Sequence, residues 1–170
     1  MPGMVSTDLP VRVPEVEEYF PAGLPPEGTV CYISREKSQA VASDADEIVI
    51  TADTMVFLDD KKLGKPADEA EALQMLTALQ GRRHTVCTGV TVRQGEKALT
   101  RAQHTEVYFR PGTQRELKAY IAGGEPMDKA GAYGVQGQGG LLVERIDGDF
   151  FNVMGLPVVL LAEMLGEFGI

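Results

Sequence analysis

An aspartate stands inside an apolar run. In Ile48-Val49-Ile50-Thr51-Ala52-Asp53-Thr54-Met55-Val56-Phe57-Leu58 the β-branched opening reads as a buried strand, which Asp53 interrupts. A carboxylate taken out of water is costly without a partner, so Asp53 calls for a cation, a metal or a hydrogen-bond donor beside it. Lys65 follows the next turn, in Gly64-Lys65-Pro66. Lys37 falls four residues after Ile33, on what reads as the apolar face of a helix. A lysine there either snorkels outward or meets an anion inside. An acid at a strand end with a lysine beyond the next turn can grip a metal and a phosphate, and the same group also reads as a structural ion pair. A second informative stretch runs from Asp128 to Gly140, where an acid–base pair, Asp128-Lys129, leads into five glycines. Those glycines allow close backbone approach to a ligand, or simply tight turns.

Composition limits what these residues can serve. The chain has 170 residues, enough for one domain with a real core, with 44% apolar and 24% charged residues. Its formal net charge of -9 argues against a general nucleic-acid or anionic-membrane binder. A small polyanion remains compatible with that charge, provided that lysines or a metal oppose the overall field locally. Two cysteines, Cys31 and Cys87, stand far apart and in no CxxC pattern, which argues for buried thiols in a reducing cytoplasm rather than a disulfide or zinc site. No apolar run is long enough to span a membrane, and the N-terminus lacks the basic-then-apolar order of a signal peptide.

The elements that must position these residues follow from periodicity. Leu9, Val11 and Val13 alternate as a short strand would, although Pro10 and Pro14 argue against a central one. Glu15 and Glu17 read as a solvated loop. Residues 29–43 read as a helix capped by Thr29, with Val30, Ile33, Ala40 and Val41 on one face. Asp68 caps a second helix whose stripe is Ala72, Leu73, Met75, Leu76 and Leu79, ended by Gly81. Residues 83–93 and 98–109 form a hairpin around Gln94 to Lys97, with His84 and His104 as structural or surface residues. Thr113-x-x-Glu116 is a capping box opening a third helix over Leu117, Tyr120 and Ile121. Leu141 to Ile146 reads as a strand, Asp147-Gly148 as a hairpin turn, and Phe150 to Met154 as the return strand. Pro157 starts a last apolar helix through Val158, Leu161, Met164 and Leu165. The sum is a mixed α/β (α+β) domain with one main sheet.

In order along the chain, EEYF…ISREKSQAV, ADTMV…LGKP, GRRHTVCTGV, DKAGAYGVQG and NVMGLP resemble the Maf family of nucleoside triphosphate pyrophosphatases, also called septum formation proteins. The likeness runs from about Val13 to the C-terminus. It implies an elongated central mixed sheet flanked by helices, akin to inosine triphosphate pyrophosphatases. It also implies a cytoplasmic homodimer that hydrolyses a nucleoside triphosphate to the monophosphate and pyrophosphate with Mg²⁺ or Mn²⁺. Ala52-Asp53-Thr54 and Gly131-Ala132-Tyr133-Gly134-Val135-Gln136-Gly137 resemble the branch acting on dTTP and UTP rather than the one acting on 7-methyl-GTP. By that likeness Asp53 matches the catalytic aspartate. Glu18, Lys37 and Lys65 match the other charged cleft residues, and Lys129 lies in the Asp-Lys motif. Thr54 and Gln136 match positions tied to base selectivity, where a hydroxyl and a carboxamide can pair with a pyrimidine edge.

The mechanism so implied is water attack on the α-phosphate. Asp53 and Glu18 would hold the cation and activate the water, and either could be the base. Lys37, Lys65 and Lys129 would offset phosphate charge. The family usually opens with a strand and a Ser-x-Ser-Pro-Arg-Arg segment, which residues 1–17 do not match. The expectation is therefore a single domain that begins near the family's second strand, from a start assigned too late. A rival reading is a catalytically impaired nucleotide-binding protein linked to cell division.

Overall fold

β-branched and apolar residues concentrate between Ile48 and Phe109, and this part of the chain supplies most of the sheet. The computed structural model describes residues 9–16 and 19–170. Strands β1 (Ile48–Leu58), β2 (Lys61–Leu63), β3 (Arg83–Gln94), β4 (Lys97–Phe109) and β5 (Val143–Asp147) form one sheet in the order β2-β1-β3-β4-β5. The sheet expected to be mixed is antiparallel in all its described pairings. Tight reversals explain two of them, since parallel neighbours need long crossovers. Asp59 and Asp60 take left-handed φ angles of 50° and 64° between β1 and β2, and Gly95 takes 54° between β3 and β4.

Helices α1 (Pro26–Ala40), α2 (Glu69–Leu79), α3 (Gln114–Ala122), α4 (Phe150–Met154) and α5 (Val158–Gly166) cover the two faces. Alternation along β1 sorts its side chains between them. Met55 and Phe57 pack with Val30 and Ile33 of α1. Val56 and Leu58 pack with α2, α3 and the glycine-rich segment. Farther along, Val90 and Val92 meet Met164 of α5. As predicted, the Asp68 side chain accepts from the Glu71 amide at 2.8 Å, and Thr113 and Glu116 form a reciprocal capping box.

Several expectations are corrected. Residues 9–13 form no strand, and Val11 and Val13 are exposed, because Pro10 and Pro14 remove ladder donors there. α1 starts at Pro26 with Pro25 at the cap position, so Thr29 lies inside the helix and its hydroxyl bonds back to the Pro25 carbonyl at 3.1 Å. Its buried stripe runs on through Ser34 and Ser38 rather than Ala40 and Val41. β1 is continuous through Asp53, which therefore stands mid-strand and not at a strand end. β5 begins at Val143, two residues later than expected, after a 3-10 turn over Gln138–Leu142. Phe150–Met154 is a helix and not a return strand. Asp149 caps it by accepting from the Phe151 amide at 2.8 Å, and the helical turn carries Asn152 inward to donate to the Val86 carbonyl and the Thr105 hydroxyl.

Candidate active site

The six predicted residues that are described divide between the two faces of β1. Asp53 is 7% exposed and faces α1, where its Oδ1 accepts from Lys37 Nζ at 2.6 Å. Local packing brings the pair together. Asp53 is paired in register with Gly89 of β3, and a Cβ at Gly89 would come within 2.4 Å of the Val30 backbone. α1 therefore lies directly on the sheet, an approach only glycine permits. One turn before Lys37, Ser34 Oγ is 2.9 Å from Thr91 Oγ1 and 3.1 Å from the Thr51 carbonyl, and the Thr51 hydroxyl donates to the Ser34 carbonyl at 2.7 Å. Those bonds pin the helix in rotation and height, and so they set where the lysine meets the carboxylate. Burial pushes the neighbouring Cys87 thiol up to about 12, so it is not a thiolate nucleophile at neutral pH.

On the other face a cavity of about 300 Å³ is lined by Thr54, Lys65, Lys129 and Gln136, with Val56 and Val86 as apolar floor. Two loops meet to build it. The Gly131 amide donates to the Gly64 carbonyl at 3.1 Å and so brings Lys65 beside the glycine-rich segment. Gly131 has φ +71°, and its missing side chain lets the segment lie against Val56. Lys129 Nζ is 2.9 Å from Asp128 Oδ1 and lays its stem on Gly134. The Asp128 carboxyl is held below its usual range by the Lys129 hydrogen bond and charge, with Lys65 adding a smaller pull. Two ammonium groups, Lys65 and Lys129, thus gather beside two carboxylates, Asp128 and Glu125.

The Thr54 hydroxyl is 2.9 Å from the Thr88 hydroxyl and 3.2 Å from the Gly155 carbonyl, so it ties the C-terminal end of α4 to the sheet. Gln136 is exposed at the rim. Tyr133 lines the same cavity from beneath, with its hydroxyl 2.7 Å from His84 Nε2. Burial lowers the His84 pKa to about 4 and raises that of Tyr133, so both are neutral. His84 packs edge-on against Phe109 and Tyr133 in the core, the structural role expected of it. His104 is exposed near Glu27.

The structure thus brings Thr54, Lys65, Lys129 and Gln136 together, and separately joins Lys37 to Asp53. Glu18, like Glu17, lies outside the described residues. The two groups adjoin at one place, since Asp53 and Thr54 are neighbours on opposite faces. β2 pairs only with Val56–Leu58, so among the described residues no strand covers the β1 edge beside Asp53. Sequence reasoning passed over Ser34, Gly89 and Thr91, which seat α1, and Glu125, which bonds to the glycine-rich segment; it placed Tyr120 in the core without its bond to that segment.

Comparison with known proteins bears on what such a site does. A sequence model of the family described as "Maf-like protein" matches residues 3–168. The chain is 43% identical over 168 residues to a dTTP/UTP pyrophosphatase of Bacillus cereus (strain AH187), covering 98% of this chain and 88% of that protein. It is 47% identical over 155 residues to a dTTP/UTP pyrophosphatase of Bacillus velezensis (strain DSM 23117 / BGSC 10A6 / LMG 26770 / FZB42), covering 91% of this chain and 82% of that one.

Proposed function

The chain belongs to the Maf-like family, and from that premise we propose that it is a nucleoside triphosphate pyrophosphatase acting on dTTP and UTP. The relatives named dTTP/UTP pyrophosphatase, at 43–47% identity over most of the chain, support this reading. The observation that carries it is the cleft itself. Two lysines and a rim carboxamide share one cavity, and an ion-paired carboxylate lies on the reverse of the strand that lines it.

In this reading the base enters the loop-face cavity and the triphosphate passes the β1 edge, which no described strand pairs beside Asp53, toward the Asp53 carboxylate. Gln136 can offer both a donor and an acceptor to a pyrimidine edge. Lys65 and Lys129 counter the charge of the phosphate chain. Lys37 orients the Asp53 carboxylate and offsets charge that develops on the leaving pyrophosphate. Asp53 is the candidate to accept the proton of the attacking water, with Glu18 as the second candidate.

The donor chemistry fits a hard divalent cation. Asp53 offers carboxylate oxygens, and among the described residues no group of three or more His, Cys, Asp and Glu comes together. A cation held by one or two carboxylates and completed by substrate phosphates is the usual arrangement for Mg²⁺. Asp53 and Glu18 would be its protein ligands. When bound it would polarise the phosphoryl oxygens and lower the pKa of the attacking water. No helix among the described residues is long and apolar enough to cross a membrane.

The test is product analysis with Mg²⁺ and UTP, dTTP, CTP, GTP or 7-methyl-GTP. The expected result is pyrophosphate with UMP or dTMP, and much slower turnover of the purine nucleotides. Release of orthophosphate instead, or nucleotide binding with no turnover, would overturn the reading.

A further inference from the structure

The segment that carries Gln136 has little regular structure of its own. Gly134 to Gly139 takes no strand partner, and Gln136, Gly137 and Gln138 are all exposed at its outer bend. An exposed bend holds a side chain in place only if its backbone is tied down elsewhere. Here two side chains tie it, Tyr120 at Gly134 and Glu125 at the outer bend. Glu125 Oε1 accepts from the Gln138 amide at 3.1 Å, and Oε2 accepts from the Gly139 amide at 2.9 Å. One carboxylate thus holds two successive backbone donors, in the charge-assisted form that is both stronger and more directional than a neutral bond.

The surroundings of the carboxylate are shaped to keep it there. A Cβ at Gly137 would lie 1.6 Å from Glu125 Oε1, so the space a side chain would take at that position is filled by the carboxylate. A Cβ at Gly139 would lie 2.6 Å from both the Tyr120 hydroxyl and the Gly134 carbonyl. Tyr120, buried on α3, accepts from the Gly134 amide at 3.1 Å through the same hydroxyl. The glycines of this segment are therefore explained by close packing against Glu125 and Tyr120. Burial alone would raise the Glu125 carboxyl, but the bonds from Tyr120, Gly139 and Gln138 outweigh it and hold the group below its usual range. It is a carboxylate at neutral pH.

We propose that Glu125 is a positioning residue for base selection: its carboxylate fixes the 134–139 segment and thereby the place at which Gln136 meets the base. The inference rests on the nucleotide-hydrolysing reading above and deepens it. Glu125 does not line the cavity and reaches it through the segment it holds, with Lys129 as its nearest cationic neighbour there. Losing the clamp lets the segment move while Lys37, Asp53 and the other face of β1 stay in place. The consequence falls on discrimination between bases rather than on the chemical step.

The experiment measures kcat and KM for UTP, dTTP and CTP in the intact chain and in Glu125→Ala, Gly137→Ala and the double variant, with thermal unfolding as control. Glu125→Ala is expected to lower the UTP-to-CTP ratio of kcat/KM by about tenfold, mainly by raising KM for UTP. Gly137→Ala should do the same by displacing the carboxylate. In the Glu125→Ala background it should add nothing, because the clash is gone. If Glu125→Ala does not fold, Glu125→Gln carries the test, since its NH2 replaces one of the two acceptor oxygens with a donor that faces a backbone N–H. An unchanged base ratio with a lower kcat on every nucleotide would overturn the positioning role while leaving the pyrophosphatase reading intact. A full additional loss from Gly137→Ala in the double variant would overturn it too. Failure of the unmodified chain to release pyrophosphate from UTP or dTTP would overturn the reading, and this inference with it.

Discussion

The two faces of β1 are built by different means. On the α1 side the functional groups are side chains locked by side chains: Lys37 on Asp53, with Ser34, Thr51 and Thr91 pinning the helix beneath. On the opposite side much of the cavity is backbone, held by the Gly131–Gly64 bond, the Tyr120 hydroxyl and the Glu125 carboxylate. The first arrangement is rigid and suits a group that must hold one geometry during bond breaking. The second is a set of short bent segments whose position depends on a few tethers, which suits recognition of a variable ligand edge. One strand thus separates turnover from selection, and substitutions on its two faces should have different kinetic signatures.

Short of removing Asp53 itself, Lys37→Met should have the largest effect. It leaves the Asp53 carboxylate without its ammonium partner, and kcat should fall by about 10²–10³ on every nucleotide alike. A loss confined to one base in steady-state kinetics would break the division between the faces. Gly89→Ala tests the seat of the same pair. Its new methyl would meet the Val30 backbone, so α1 must lift, at about 1–3 kcal/mol of stability in urea unfolding and with lower kcat. Gln136→Ala, on the other face, should change the UTP-to-purine ratio by about tenfold or more while leaving kcat within a few-fold. Equal loss on all nucleotides would place Gln136 in the chemistry instead.

The smallest effect on activity at neutral pH belongs to His84, yet it has a distinct pH signature. Its folded pKa of about 4 lies below the ordinary 6.5, so between those values the unfolded chain binds the extra proton. Stability present above pH 6.5 is therefore lost as the pH falls toward 4. Between pH 7 and 5 this amounts to about 2 kcal/mol. His84→Gln keeps a polar group near the Tyr133 hydroxyl but cannot titrate, and urea unfolding at the two pH values should show that increment disappear.

Much of the fold was legible because local rules acted locally. Asp68, the Thr113–Glu116 box and the β3–β4 hairpin each announced themselves within a few residues. Lys37 and Asp53 were legible as misfits, charges at apolar positions, although only the structure shows that they meet. What was hidden depends on distant partners. Ser34 is a buried serine on α1 whose hydroxyl partner, Thr91, lies 57 residues away. Asn152 is drawn into a helix by acceptors on β3 and β4, against a pattern that reads as a strand. Glu125 carries no local signal after its two glycines, because the amides it holds come 13 and 14 residues later. Which face of β1 each residue serves follows from strand alternation only once the strand is known to run unbroken through Asp53.

The most direct test of the division is the Asp53→Asn chain with UTP and Mg²⁺, measured for pyrophosphate release and for equilibrium binding. The account predicts that release falls by about 10²–10⁴ while UTP affinity stays within about tenfold, because selection lies on the opposite face. Full activity, or loss of UTP binding in step with the loss of turnover, would contradict it.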